Sequence, residues 1–178
     1  TTFADCDVDA ANLHLMLDPR ETSCSDFVSG KLAEVDPDRC TGCGLCVDAC
    51  RFEAVSLVRT ERRTRALVDP IACEGCGVCE YVCPENAVAL TEQRRGRWCH
   101  SATPYGPLVH AHLEPGEENS GKLVARVREE AAERARKAGA DWVLVDGPPG
   151  TGCAAKSAMT GADYVLLVAE PTPSGIHD

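Results

Sequence analysis

Aromatic residues are scarce, 4% of the 178 residues, and long apolar runs are missing. The longest runs, Trp142 to Val145 and Tyr164 to Ala169, fall far short of the roughly 20 residues that span a bilayer, so no transmembrane segment is expected. Positive charge is in deficit: 18 Lys and Arg stand against 28 Asp and Glu, a formal charge of -10. Such a chain repels phosphate backbones and anionic lipid, which argues against nucleic acid as a partner. The sequence does not open with Met or with a basic, apolar leader, and its last phrase looks interrupted; a fragment of a cytoplasmic protein is expected. At 44% hydrophobic, the chain is long enough for one domain or two small ones with a real core.

Cysteine, by contrast, is abundant. Eight of the twelve are crowded into two short clusters, which ordinary burial does not explain. Val35 to Leu57 aligns without gaps on Val68 to Leu90 at an offset of 33 residues, so one small module occurs twice. Val35-Asp36-Pro37 matches Val68-Asp69-Pro70, and Ala54-Val55-x-Leu57 matches Ala87-Val88-x-Leu90. Arg59, Arg62, Arg63 and Arg65 between the copies read as a solvated hairpin or, alternatively, a docking patch.

Around the repeat the texture is α/β. Ser120 through Ala138 carries Leu123, Val124, Val127, Ala131 and Ala135 at helical spacing and stops at Gly139, which predicts a helix with Ser120 as its cap. Trp142 to Val145 and Tyr164 to Val168 read as strands covered on both faces. Phe3-Ala4 and Leu108 to Leu113 are further strand candidates. The repeat therefore reads as an insertion: residues 1–32 and 94–178 form one α/β layer structure, and residues 33–93 a separate small α+β module.

Each repeat holds Cys-x2-Cys-x2-Cys-x3-Cys, with Pro84 after the last cysteine of the second copy. Three closely spaced thiolates suit one corner of a cubane cluster, and in this spacing the fourth ligates the other cluster. The expectation is two 4Fe-4S clusters, one on Cys40, Cys43, Cys46 and Cys83, the other on Cys73, Cys76, Cys79 and Cys50. Gly42, Gly44, Gly75 and Gly77 permit the positive φ such a wrap needs. A pair of zinc sites is the alternative, though these usually separate two Cys-x2-Cys knuckles by a longer loop. Disulfides among such near neighbours have few unstrained pairings. Cys6, Cys24, Cys99 and Cys153 read as buried or incidental thiols. His14, His100, His110, His112 and His177 show no ligand-like spacing with these cysteines and read as structural.

This stretch resembles the bacterial two-cluster ferredoxins over about 60 residues, which implies low-potential one-electron transfer. Arg51 replaces the proline that family often carries after the cysteine. A second resemblance rests on Asp146-Gly147-Pro148-Pro149-Gly150-Thr151-Gly152 after a strand and on Asp5-Cys6-Asp7-Val8-Asp9 with Asn12-Leu13. Both phrases are similar to switch segments of the Mrp and MinD group of P-loop ATPases, although the first could also be a plain tight turn. By that match Asp7 positions water or metal, Asp146 presents a carboxylate to Mg2+, and Gly147, Gly150, Thr151 and Gly152 supply mobile backbone to the γ-phosphate of ATP.

Tyr105 to His110, Gly116 to Leu123 and Glu170 to Gly175, taken with the cysteine repeat, resemble MinD-superfamily ATPases that contain an inserted ferredoxin domain. The resemblance implies a parallel-sheet P-loop fold, ATP hydrolysis in the full-length protein, an ATP-dependent homodimer, and a redox partner protein or an apo iron-sulfur client. The family's Gly-rich phosphate loop is not found; it should precede the strand ending at Asp5. Gly116-x4-Gly121-Lys122 approaches a phosphate loop, but Leu123 stands where Ser or Thr would hold Mg2+. An electron-transfer module whose nucleotide layer is only a scaffold, and a cluster carrier, remain as alternatives.

Overall fold

The computed structural model describes residues 1–60, 63–117, 121–172 and 175. The positions named above at Arg62, Ser120, Pro173, Ser174 and His177 lie outside the described residues, as does the side chain of Thr22. The chain divides into two compact units, one of Thr1–Phe27 with Arg94–Asp178 and one of Val28–Gln93.

The first unit begins with β1 (Thr2–Asp5) and the short helix α1 (Leu13–Leu17). Two 16-residue strands follow in the chain, β2 (Arg20–Val35) and β5 (Val88–Thr103), and the chain leaves and re-enters the first unit within them. Next come β6 (Gly106–Leu113), the long helix α4 (Gly121–Ala138), β7 (Val143–Asp146) and α5 (Cys153–Met159). The sheet order is β2-β5-β6-β1-β7. β1 is parallel to β6 and to β7, with Asp5 opposite Asp146, whereas β5 and β6 are antiparallel from Gly96–Leu113 to Thr103–Gly106. The expected parallel sheet is therefore a mixed one. Two residues, Pro104 and Tyr105, connect β5 to β6, a link that only antiparallel neighbours permit.

The apolar face of α4 explains the core. Leu123, Val124, Val127 and Ala131 are fully buried against Ala4, Val109 and Ala111. Each buried Leu or Val contributes about 1.5–3 kcal/mol. The helix ends as its sequence predicts: Gly139 has φ +62, its N–H donates to the Arg136 carbonyl, and the Ala140 N–H donates to that of Ala135. This pairing satisfies carbonyls the last turn would otherwise leave open.

Three further expectations fail here. Trp142 to Val145 is not covered on both faces: the strand starts at Val143, and Trp142 and Leu144 are exposed because β7 is the last strand in the sheet order. Tyr164 to Val168 is not a strand; it has no strand partner among the described residues and is exposed, Leu166 at 87%. An apolar run becomes a buried strand only where neighbours supply backbone partners and cover, and the described residues supply neither. Cys24 and Cys99 are not thiols but a disulfide, with Cα atoms 4.1 Å apart. Cys24 lies on β2 and Cys99 on β5, adjacent strands whose polar sequences hid both the strands and the pairing.

The second unit carries the repeat. In the first copy α2 (Leu45–Asp48) precedes β3 (Val55–Arg59); in the second, α3 (Val78–Tyr81) precedes the start of β5. β3 pairs antiparallel with β4 (Thr64–Val68), Val55 opposite Val68. The copies exchange matching bonds: the Asp36 N–H donates to the Ala87 carbonyl and the Asp69 N–H to that of Ala54, each at 2.7 Å.

Candidate metal centres

Each four-residue helix of the repeat starts at a glycine in the left-handed region, Gly44 at φ 85 and Gly77 at φ 82. Just before them, Gly42 (φ +72) and Gly75 (φ +62) pass so close to the Thr64 and Lys31 carbonyls that a Cβ would collide. Only glycine allows the backbone both this conformation and this approach. The loop so formed turns three cysteines of each copy inward, and the helix then carries the fourth away from its own three.

The structure consequently brings the cysteines together in crossed sets. One cavity, of about 350 Å³ with its open mouth included, is lined by Cys40, Cys43, Cys46 and Cys83, with Val35, Ala66 and Ala87 among its walls. The other, of about 330 Å³, is lined by Cys50, Cys73, Cys76 and Cys79, with Ala33, Phe52 and Ala54. The Ala66 N–H donates to Cys40 Sγ at 3.4 Å and the Ala87 N–H to Cys83 Sγ at 3.3 Å. Burial pushes the Cys46 thiol up, and Cys40, Cys43 and Cys83 push the same way; burial and then Cys73 do the same at Cys79. Gathered thiolates repel unless a cationic centre joins them.

Thiolates 2.3 Å from one tetrahedral zinc lie about 3.8 Å apart. Among the described residues, no three of these eight sulfurs lie within 4.8 Å of one another. The four-cysteine donor sets, apolar walls and N–H···S bonds fit an iron-sulfur cluster.

At the carboxyl ends of β1 and β7 the structure gathers Asp7 and Asp146, and with them Asp5, which the sequence reading did not single out. Burial, followed by Asp7, raises the Asp146 carboxyl. Asp5 is 1% exposed; its Oδ2 accepts from the Leu13 N–H at 3.2 Å, while Oδ1 has no hydrogen-bond partner among the described residues. Burial raises its pKa from 3.8 to about 6, opposed by the Leu13 bond and aided by Asp146. The signal for Asp5 was its place at the end of a buried strand, beside β7, but that pairing is not written in the sequence. Gly147, Gly150, Thr151 and Gly152 lie on the exposed loop between β7 and α5, with Gly150 at φ +85. Cys6 is buried in the core, its thiol pushed up to about 12 by burial, and Cys153 is exposed.

The Asp5 shift gives a testable sign. Its folded pKa lies above its unfolded value, so its contribution is fully present below about pH 4 and lost as pH rises through about 6. Asp5→Asn is expected to raise unfolding free energy by about 3 kcal/mol at pH 7.5 without divalent cations, and by little near pH 4. Urea midpoints of both chains at the two pH values check this; an equal difference at both would refute it.

A family model of the 4Fe-4S dicluster domain matches residues 33–90. The chain is 35% identical over 174 residues to a protein of Methanocaldococcus jannaschii that is itself described as uncharacterized. That alignment takes in 98% of this chain and 58% of the relative, so the chain spans somewhat over half of the relative's length. Residues 33–90 are an iron-sulfur, ferredoxin-like domain. Among the described residues no helix is long and apolar enough to cross a membrane.

Proposed function

We propose that the chain binds two 4Fe-4S clusters, one on Cys40, Cys43, Cys46 and Cys83 and one on Cys73, Cys76, Cys79 and Cys50, and exchanges single electrons with a redox partner protein. The observation that carries this reading is the crossed lining of the two cavities. When bound, each cluster supplies a one-electron couple whose potential depends on charge, hydrogen bonds to sulfur and solvent exposure. The chain's residues set those levers. The Ala66 and Ala87 N–H groups hydrogen-bond to the sulfurs of Cys40 and Cys83, and Val35, Ala66, Ala87 and Val88 give the first cavity apolar walls. Anaerobic preparation is expected to give about eight iron and eight acid-labile sulfide per chain, with a reversible low-potential titration. Stoichiometric zinc without visible charge-transfer absorption would overturn it.

The first unit, on the same reading, belongs to a MinD-like P-loop ATPase, with ATP and Mg2+ as its ligands. In support, Asp5, Asp7 and Asp146 converge where open α/β sheets bind ligands, outside the carboxyl ends of parallel strands. Asp146 would face Mg2+, Asp7 would hold water or metal, and the loop from Gly147 to Gly152 would follow the γ-phosphate. β7 is last in the sheet order with Leu144 exposed, and Tyr164 to Val168 is an exposed apolar run without a strand partner among the described residues. A further strand placed between them, carrying the phosphate loop, would satisfy both.

A further inference from the structure

The geometry points to a divalent transition-metal site of the zinc class, formed by Glu21, His110 and His112 and separate from the cysteine cavities. One ligand atom of each lies within 4.8 Å of those of the other two. Metal-nitrogen and metal-oxygen bonds of about 2.0–2.2 Å put tetrahedral ligands roughly 3.4 Å apart, so binding needs a small closure. Glu21 and His112 are exposed side chains and can supply it by rotamer change.

His110 is the fixed member. It and His112 are two residues apart on β6, on the face opposite Val109 and Ala111, which pack under α4. His110 is buried, with Nε2 2.8 Å from Ser101 Oγ. A proton on Nε2 donates to Ser101 and leaves Nδ1 to ligate, the outer hydrogen bond that metal-bound histidines use to fix their tautomer. The two rings stand edge to face with centroids 5.1 Å apart. Burial pushes His110 down to about 4 and also lowers His112; their mutual repulsion adds at His110, and nearby Arg97 and His14 act in the same direction. Neutral imidazole is the ligating form. Glu21 is the nearby group that acts the other way on both rings, and it offers the anionic oxygen.

The Cys24–Cys99 disulfide lies against the same Glu21. While that bond is intact its sulfurs are poor ligands, so the set is two imidazoles and one carboxylate. Three protein ligands leave a fourth position for water or for a group on another molecule.

The test uses the cluster-loaded chain without thiol reductant, dialysed to equilibrium against micromolar zinc with zinc and iron counted together. One zinc per chain is expected while iron stays at about eight. His112→Ala and Glu21→Gln, both at exposed positions, are expected to weaken zinc binding at least about tenfold with iron content unchanged, and Ser101→Ala about tenfold through His110. Zinc that binds only as iron is lost, that fails to bind the loaded chain, or that binds both exposed variants as tightly as the parent would overturn the assignment.

Discussion

Cys50→Ala combined with Cys73→Ala is expected to leave one intact 4Fe-4S cluster, whereas Cys50→Ala combined with Cys43→Ala is expected to leave none. Cys50 and Cys73 line one cavity and Cys43 the other, so under the proposed crossed ligation the first pair damages one site twice and the second damages both once. The physical cause is local. Gly44 opens α2 in the left-handed region, the Ala49 N–H donates to the Leu45 carbonyl, and this single turn moves Cys50 away from Cys40, Cys43 and Cys46. α3 does the same for Cys83. Iron and sulfide analysis, with paramagnetic spectra of the reduced proteins, reads the result: about four irons in an undisturbed cluster for the first pair. The reverse outcome, an intact cluster in Cys50→Ala with Cys43→Ala, would mean that each repeat holds its own.

The second large effect concerns nucleotide. Residues 1 to 178 are expected to bind ATP weakly, because Asp5, Asp7 and Asp146 present negative charge to a negative ligand. A chain extended upstream by a strand and a Gly-rich phosphate loop is expected to bind ATP at micromolar concentration and hydrolyse it slowly, since loop amides and a lysine provide most phosphate affinity. In that longer chain Asp146→Asn should slow Mg2+-dependent hydrolysis on the order of 10²-fold, the loss of about 3 kcal/mol of metal-mediated stabilisation. Iron content should not change, because Asp146 is outside the cysteine repeat. Calorimetry on both chains decides between this and the rival segment Gly116 to Lys122. There Gly121 packs tightly on α5: a Cβ would stand 3.0 Å from the Cys153 carbonyl, and Ser157 Oγ donates to the Gly121 carbonyl at 2.8 Å. Micromolar binding by residues 1 to 178, abolished by Lys122→Ala, would make that segment the phosphate site.

What was readable in the sequence was local or periodic. The 33-residue offset exposed the duplicated module, the cysteine spacing its chemistry, and the apolar positions of α4 with Gly139 its extent. Spacing of three cysteines within one loop constrains geometry because few bonds separate them; a stripe every three to four residues constrains a helix for the same reason. The long strands β2 and β5 escaped because their residues are polar and alternate only weakly, so their pairing draws on neighbours far away in the chain. Tyr164 to Val168 misled in the opposite direction, being apolar enough for a strand but without a partner among the described residues.

Tertiary structure alone decided the rest. Cys24 and Cys99 are 75 residues apart, and Glu21 lies about 90 residues before His110 and His112, yet the sheet brings the members of each set side by side. Asp5 and Asp146 meet only because β1 and β7 run parallel with those two residues in register. The burial that raises Asp5 and lowers His110 belongs to that packing and not to either residue. Residue type and near spacing specify which atoms are available; which of them share a site depends on long-range pairing, and that is settled by the whole buried surface at once.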